Sequence, residues 1–176
     1  MGTALPIPTT YNGILMRSRL EAAWAAVMDH YEIEWLYEPE AFKLSDGTLY
    51  LPDFYLPRAN MIFEVKGLMT DVDAHKIIMW MKDFNRPAAV GYPNGSFVAC
   101  DHIGNKETGY WTFEDEGNVI FKHEKCGGVS FMAFGCGGWI CPCCNEYAEY
   151  GHNLSEYQIE NFSQFFPHYE NKRWRK

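Results

Sequence analysis

Two acidic residues and a lysine lie in stretches of the chain that are otherwise apolar. Asp53 lies in YLPDFYLP and Glu64 and Lys66 lie in MIFEVKG, with ten residues between Asp53 and Glu64. Charged side chains are seldom buried unless they are paired or bind a metal. Carboxylate oxygens are the ligands that Mg²⁺ and Mn²⁺ prefer. The pattern therefore indicates a divalent-cation site with a lysine beside it, and a solvated strand face is the alternative.

Both stretches are predicted to be neighbouring strands, Leu49–Leu56 and Met61–Lys66. Successive side chains of a strand point to opposite faces, so Glu64 and Lys66 share one face. A short turn and an antiparallel return would place Asp53 opposite Glu64 across the ladder. A divalent ion held there can generate hydroxide from water and stabilise charge on a phosphate. The lysine can orient the water or neutralise developing charge, so the spacing is suited to phosphodiester hydrolysis.

A second group of candidate ligands lies in HEKCGGVSFMAFGCGGWICPCCNE, which covers residues 123–146. His123 and Cys126 form one pair with x-x spacing, Cys141 and Cys144 form another, and 14 residues separate the pairs. Two such pairs can close a tetrahedral Zn²⁺ site, and four protein ligands make that site structural because no position stays open. The pattern resembles a zinc ribbon.

The ligand set of this site is open at one position. Cys136 or Cys143 could replace His123. Lys122, Lys125 and Trp139 are candidates for DNA contact beside the site. Cys100 is isolated in the sequence and is predicted to be a small buried hydrophobic residue.

Composition bounds the class of protein. The chain has 176 residues, of which 47% are hydrophobic, and a net charge of -8. We see no apolar run long enough for a membrane helix and no signal peptide in MGTALPIPTT, so a cytoplasmic location is expected, where six Cys favour metal binding over disulfides. The acidity counts against a nucleic-acid-binding protein, which usually has a basic face, but a local patch can still be basic. The patch NKRWRK, residues 171–176, could contact phosphate and stack on a base, and a disordered solubilising terminus is the alternative.

The element order predicts an α/β core followed by a Cys-rich module. Two helices are predicted with apolar faces, Ser18–His30 and Asp71–Phe84, and a closing helix is predicted over Ser155–Phe166. The predicted strands are Trp35–Glu38, Phe42–Leu44, Leu49–Leu56, Met61–Lys66, Ala88–Tyr92, Ser96–Cys100, Tyr110–Phe113 and Val119–Lys122. The predicted domains are a core over 1–120, a zinc ribbon over 121–150, and a C-terminal helix with a basic tail over 151–176.

Three segments together resemble the PD-(D/E)XK nuclease superfamily: RSRLEAAWA, YLPDFYLP and MIFEVKG. Pro52 and Asp53 match the PD half, and Glu64, Val65 and Lys66 match the (D/E)XK half. The segments are most similar to the endonuclease I type of phage Holliday-junction resolving enzyme. In that family a helix beginning R-S-K/R-L-E precedes a PDF-x-LP strand and an E-x-K-G-L strand. The resemblance covers about residues 12–85.

The resemblance implies a restriction-endonuclease-like core, a mixed central sheet flanked by helices, and a Mg²⁺- or Mn²⁺-dependent DNA endonuclease. Asp53 and Glu64 would bind the catalytic metal with the carbonyl of Val65. Glu21 would reach toward a second metal or its waters, and Lys66 would serve the water or the scissile phosphate. DNA, duplex or branched, would be the substrate, a 5′-phosphate the product, and the protein a homodimer of phage origin in a bacterial cytoplasm.

Other interpretations of these residues remain open. Ser18 and Glu21 also form an S-x-x-E capping box, which by itself explains Glu21. Lys76 could touch the DNA backbone or be solvated. An iron–sulfur cluster is the alternative to zinc, but some RecB-type nucleases place one of its Cys ligands before their catalytic motifs, and here none precedes residue 100. The alternative function is a non-catalytic nuclease-fold protein that binds DNA or a host protein, which the net acidity favours.

Overall fold

The structure is a computed structural model that describes residues 6–100, 119–132, 139–148, 154–157, 159 and 161–166. The described chain is mixed α/β, with helices α1 (Arg19–His30) and α2 (Asp71–Phe84). Its strands are β1 (Thr9–Tyr11), β2 (Ile14–Met16), β3 (Leu36–Tyr37), β4 (Phe42–Lys43), β5 (Leu49–Tyr50), β6 (Phe54–Leu56), β7 (Met61–Val65), β8 (Ala88–Gly91), β9 (Phe97–Cys100), β10 (Val119–His123), β11 (Val129–Met132), β12 (Trp139–Ile140), β13 (Tyr147–Ala148) and β14 (Leu154–Tyr157). No helix in these ranges is both long and apolar enough to cross a bilayer.

A mixed five-stranded sheet in the order β3-β6-β7-β8-β9 forms the centre of the fold. Only β7 and β8 are parallel, and α2 lies between them in the chain, as a parallel pair requires. Alternate residues of β7 serve opposite faces. Ile62 packs in the cluster that contains Ile77 and Trp80 of α2, and Phe63 packs against Trp24 of α1 with ring centroids 5.0 Å apart. A helix therefore covers each face.

Local capping explains why both predicted helices are found. Ser18 precedes α1, and its hydroxyl accepts from the Glu21 N–H at 3.1 Å. Thr70 precedes α2 and forms a reciprocal capping box with Asp73. Asn85 ends α2 in the left-handed region, at φ 51°, a conformation that Asn tolerates better than most residues.

The strand predicted over Leu49–Leu56 is interrupted. Its first part, β5, pairs with β4, and its second part, β6, pairs with β7. Pro52 lies in the break, and a proline has no N–H to donate to a ladder. The two halves can therefore join different sheets, and Asp53 lies at the point where the second half begins.

The helix predicted over Ser155–Phe166 is wrong. The segment contains strand β14, which pairs antiparallel with β10, and a 3₁₀ turn over Phe162–Phe165. Phe162 is buried against Trp24, with ring centroids 4.9 Å apart. Pairing with a strand distant in sequence and burial on α1 override the local helical pattern. The predicted strand Tyr110–Phe113, Cys136 and residues 171–176 lie outside the described residues.

The hairpin β10–β11 shares the core of the central sheet. Phe131 of β11 packs on Phe63 at 4.5 Å and on Phe97 at 4.8 Å between ring centroids. The boundary predicted after residue 120 falls inside β10. The Cys-rich segment is thus joined to the core through β10, the middle strand of the sheet β11-β10-β14.

Candidate functional site

Two buried carboxylates face each other at one end of the pair β6–β7. Phe54 is opposite Phe63 in the antiparallel register, so the preceding Asp53 falls opposite Glu64. The exposed fractions are 3% for Asp53 and 2% for Glu64. The Val65 N–H donates to Oδ2 of Asp53 at 2.8 Å, which holds the aspartate against the neighbouring strand. The structure therefore brings together the two acidic residues that the sequence pattern placed opposite each other.

Each oxygen of the Glu64 carboxylate accepts from a different side chain. The Tyr50 hydroxyl donates to Oε1 at 2.5 Å, and Lys66 Nζ lies 2.9 Å from Oε2. Lys66 Nζ also lies 3.4 Å from Oδ1 of Asp73 on α2. The ammonium of Lys66 is therefore positioned between a sheet carboxylate and a helix carboxylate.

Arg17 completes the surroundings of Asp53. Its Nη2 donates to Oδ1 of Asp53, and its Nε lies 2.7 Å from Oε1 of Glu38. The sequence motifs do not identify Arg17, Tyr50 or Asp73 as site residues. The only sequence signals for them are that Arg17 belongs to the RSRLE segment and that the other two are close in sequence to Asp53 and Lys66.

The electrostatics of the pair follow from burial and from like charge. Burial and the Glu64 carboxylate raise the pKa of Asp53 well above its usual range, although Lys66 acts in the opposite direction. Burial acts to lower the pKa of Lys66, but the carboxylates of Glu64 and Asp53 outweigh it and the pKa is raised. Lys66 is therefore protonated at neutral pH. A close buried pair of carboxylates is stabilised by added positive charge, which a divalent cation can provide.

These side chains line one cleft of about 270 Å³. Its walls carry charges of both signs: Asp53, Glu64 and Asp73 are acidic, and Arg17, Lys66 and Lys76 are basic. Lys76, which the sequence left open between DNA contact and solvation, thus lies in the cleft wall. The mixture fits a ligand that has a cation beside an anionic group, such as a phosphate with its metal.

Glu21 is held at the start of α1 and, within the described chain, is not among the residues that line the cleft. Ser18 Oγ donates to its Oε1 at 2.7 Å, and the Tyr37 hydroxyl donates to its Oε2 at 2.6 Å. The Arg17 N–H also donates to Oε2, at 3.1 Å. Glu21 is 7% exposed. Because its carboxylate accepts all three of these hydrogen bonds, it holds the segment that carries Arg17 in place.

The four predicted zinc ligands form a second cluster. His123 Nδ1 lies 3.4 Å from Cys126 Sγ and 3.3 Å from Cys144 Sγ, and the sulfurs of Cys126 and Cys141 are 3.9 Å apart. All four ligand atoms lie within 4.8 Å of one another. Zn–S bonds of about 2.3 Å and Zn–N bonds of about 2.0 Å put tetrahedral ligands roughly 3.5–3.8 Å apart. The cluster can therefore bind a structural metal such as zinc, and in the described chain His123, not Cys143, is its fourth member.

A tight turn after His123 shapes this cluster. The Gly127 N–H donates to the His123 carbonyl at 2.7 Å, and Gly127 has φ 64°, which favours glycine. The Gly128 N–H donates to Cys126 Sγ at 3.2 Å. A Cβ on Gly128 would lie 2.5 Å from Cys143 Cβ, so no larger residue fits without movement. The glycines that follow Cys126 therefore allow the first pair of ligands to approach the second.

The metal cluster is connected to the strands of the carboxylate pair. Arg58 lies in the turn between β6 and β7, and its Nη2 donates to the Cys126 carbonyl at 2.7 Å. Lys125, a candidate DNA contact, pairs with Glu146 at 2.7 Å and is exposed. Lys122 is half-buried in β10, and the side chain of Trp139 lies outside the described set.

No protein-family model, curated protein or solved structure matches the chain. The chemistry of the two clusters is therefore the basis for inferring the function.

Proposed function

We propose that this chain is a metal-dependent DNA endonuclease of the PD-(D/E)XK class, with a restriction-endonuclease-like core and a C-terminal zinc ribbon. The supporting observation is that Asp53, Glu64 and Lys66, from two separate stretches of sequence, lie in one cleft. The two carboxylates are opposite each other on adjacent strands, and the lysine follows the second by two residues. This juxtaposition is chemically suited to divalent-metal hydrolysis of a phosphodiester.

Asp53 and Glu64 would hold Mg²⁺ or Mn²⁺, with the Val65 carbonyl as a further ligand. The fit is chemical: two buried carboxylates lie side by side, and burial together with the charge of Glu64 raises the pKa of Asp53. When bound, the ion supplies an activated water and stabilises charge on the phosphate. Lys76 and Arg17 are part of the cleft wall and would provide positive charge beside a bound phosphate.

The protein side chains have separate roles in this scheme. The protonated Lys66 hydrogen-bonds the attacking water or a non-bridging oxygen of the scissile phosphate. Tyr50 fixes the rotamer of Glu64. The water oxygen forms a bond to phosphorus, the bond from phosphorus to the 3′ oxygen breaks, and a proton goes to that oxygen, which leaves a 5′-phosphate. Glu21 is a positioning residue, because its carboxylate already accepts from Ser18, Tyr37 and the Arg17 N–H.

The second cluster would hold zinc in a structural role. His123, Cys126, Cys141 and Cys144 supply four ligands and leave no open position for substrate. The zinc would fix the turns that follow β10 and β12, and through Arg58 the turn between β6 and β7.

A non-catalytic protein with this fold, which binds DNA or a host protein, is the second candidate. One observation favours it: every carboxylate oxygen of Asp53 and Glu64 already has a protein donor. The net charge of -8 agrees with binding to a basic partner protein.

Cleavage of a substrate panel separates the two candidates. Supercoiled plasmid, linear duplex, single strand and a four-way junction are each incubated with Mg²⁺, Mn²⁺ or EDTA. The native chain is compared with Asp53→Asn and with Glu34→Gln, a matched control at an exposed acidic residue outside the cleft. Metal-dependent cutting that Asp53→Asn loses and Glu34→Gln keeps supports the enzyme. Binding without cutting by the native chain supports the second candidate.

The panel also tests the substrate and the assembly. Preferential cutting of the four-way junction would support a branched-DNA enzyme of the resolving type. Mass measurement in solution tests the proposed homodimer, and a monomer at working concentration would contradict it.

A further inference from the structure

Arg17 combines a fixed main chain with an accessible side chain. Its N–H donates to the Tyr37 hydroxyl at 2.9 Å and to Glu21 at 3.1 Å, so the backbone is held at the start of α1. Its side chain is 55% exposed, although the guanidinium contacts Asp53, which is buried. A side chain of this kind can change partner without any movement of the fold.

The contact between Arg17 and Asp53 conflicts with metal binding. Asp53 uses Oδ2 for the Val65 N–H and Oδ1 for Arg17. A divalent ion at this carboxylate would lie beside a guanidinium, and like charges at short range in a partly buried cleft repel strongly. The cation would therefore bind well only after the guanidinium leaves Oδ1.

A phosphodiester is the ligand that can draw the guanidinium away. A guanidinium donates two parallel hydrogen bonds to phosphate oxygens, and these charge-assisted bonds are strong. Lys66 and Arg17 each lie between two carboxylates, Lys66 between Glu64 and Asp73 and Arg17 between Asp53 and Glu38. Lys66 is less available, because its side chain is only 23% exposed and that of Arg17 is 55% exposed. Arg17 is therefore the cleft cation best able to transfer from a carboxylate to a phosphate.

We propose that Arg17 couples metal binding to DNA binding. Its guanidinium occupies the Asp53 carboxylate until a DNA phosphate binds the guanidinium, so that the divalent metal and the DNA bind cooperatively. The inference rests on the proposed function, because it assumes a metal at Asp53. Coupling between two ligands is reciprocal, so DNA tightens metal binding and the metal tightens DNA binding by the same factor. Without DNA, the bond to Arg17 keeps metal affinity low.

Direct measurement of Mn²⁺ binding tests this coupling without measuring cleavage. Free Mn²⁺ is followed by electron paramagnetic resonance during titration of the full zinc-loaded chain, with and without a short phosphorothioate DNA duplex that resists hydrolysis. The variants are Arg17→Gln, Arg17→Lys and Asp53→Asn. Arg86→Gln is the matched control, because Arg86 follows α2 and does not line the cleft. A thermal melt of each variant verifies folding.

DNA should tighten Mn²⁺ binding by the native chain and by Arg86→Gln roughly tenfold, within the usual range of coupling between sites. Arg17→Gln should bind Mn²⁺ more tightly than the native chain without DNA and should lose most of the effect of DNA. Arg17→Lys should be intermediate, since it keeps the charge but not the fork.

Two other outcomes overturn the inference in distinguishable ways. If Mn²⁺ binds, Asp53→Asn abolishes that binding, and Arg17→Gln behaves like the native chain with and without DNA, the metal site stands and the role of Arg17 is wrong. If the native chain binds no Mn²⁺, or if folded Asp53→Asn binds Mn²⁺ as the native chain does, the proposed metal site fails and the inference fails with it.

Discussion

The main-chain N–H of Val65 donates to the carboxylate of Asp53 at 2.8 Å, and this bond connects a residue before β6 to the strand that carries Glu64. Asp53 is thus fixed by the backbone of its neighbour, and its position does not depend on a flexible side chain. An amide side chain at this position can still accept the same hydrogen bond. Asp53→Asn is therefore a substitution that removes the charge of the carboxylate and keeps the bond to Val65, while its amide NH2 group replaces the oxygen that accepts from Arg17.

We expect Asp53→Asn to alter the pH dependence of stability. Burial and Glu64 raise the pKa of Asp53 in the folded chain above the unfolded value of about 3.9. The protonated carboxyl therefore favours the folded state, fully so below the unfolded pKa, and this contribution is lost as pH rises through the folded pKa. Urea unfolding is measured from mildly acidic to neutral pH with no divalent ion at the carboxylate pair. The unfolding free energy should fall with rising pH in the native chain and should fall less in Asp53→Asn. Glu34→Gln is the control and should follow the native chain. The same slope of unfolding free energy against pH in Asp53→Asn as in the native chain would contradict the prediction.

Lys66→Met should abolish most of the proposed cleavage while the chain stays folded. The substitution keeps an unbranched side chain but removes the ammonium that contacts Glu64 and Asp73. Loss of one preorganised donor to a transition state costs about 10²–10³ in rate. Single-turnover cleavage measures the effect. Lys82→Met, at an exposed lysine of α2, should cut at the native rate, and an equal loss in both variants would point to a general effect of charge.

Tyr50→Phe should weaken both stability and the proposed activity. The hydroxyl of this buried tyrosine donates to Glu64 at 2.5 Å, and a hydrogen bond to a charged group contributes about 1.5–3 kcal/mol. Urea denaturation gives the change in unfolding free energy, and titration with Mg²⁺ during cleavage gives the metal requirement. A Phe variant with native stability and a native Mg²⁺ requirement would show that the hydroxyl does not hold Glu64.

Loss of the proposed zinc from the cluster around His123 should destabilise the core that the hairpin β10–β11 shares with the central sheet. Zinc analysis of the purified chain is expected to give one zinc per chain for the native protein and for Cys143→Ser, and none for Cys141→Ser. Cys143 is the matched control because it lies beside the cluster but outside the set of four ligands. Binding of a structural zinc is coupled to folding, so Cys141→Ser should also melt at a lower temperature. Loss of zinc from Cys143→Ser would show that the ligand set is different.

The sequence was most informative where local rules decide the structure. The bounds predicted for α2 from its apolar positions are confirmed, and in the structure Thr70 and Asn85 mark its ends. The placement of Asp53 opposite Glu64 follows from strand alternation and a short turn. The x-x spacing predicted the cluster of His123, Cys126, Cys141 and Cys144, but it left open whether Cys136 or Cys143 takes the place of His123.

Contacts between distant segments could not be predicted in this way. Strand β14 depends on a partner strand far away in sequence, and the bond from Arg17 to Asp53 depends on how the start of α1 lies against β6. The break at Pro52 could have been predicted, because proline cannot donate to a central ladder.

The burial of Trp24 by Phe162 has a consequence for biosynthesis. Ribosomes deliver the chain from the N-terminus, so Asp53, Glu64 and Lys66 emerge long before the aromatic residue that covers α1. Until Phe162 arrives, a nascent chain that contains every residue of the cleft lacks one of the aromatic rings that cover the indole of Trp24. Ribosome-bound chains stalled before and after residue 162 should therefore differ in tryptophan fluorescence and in protease resistance, and a competent cleft is expected only from the longer ones.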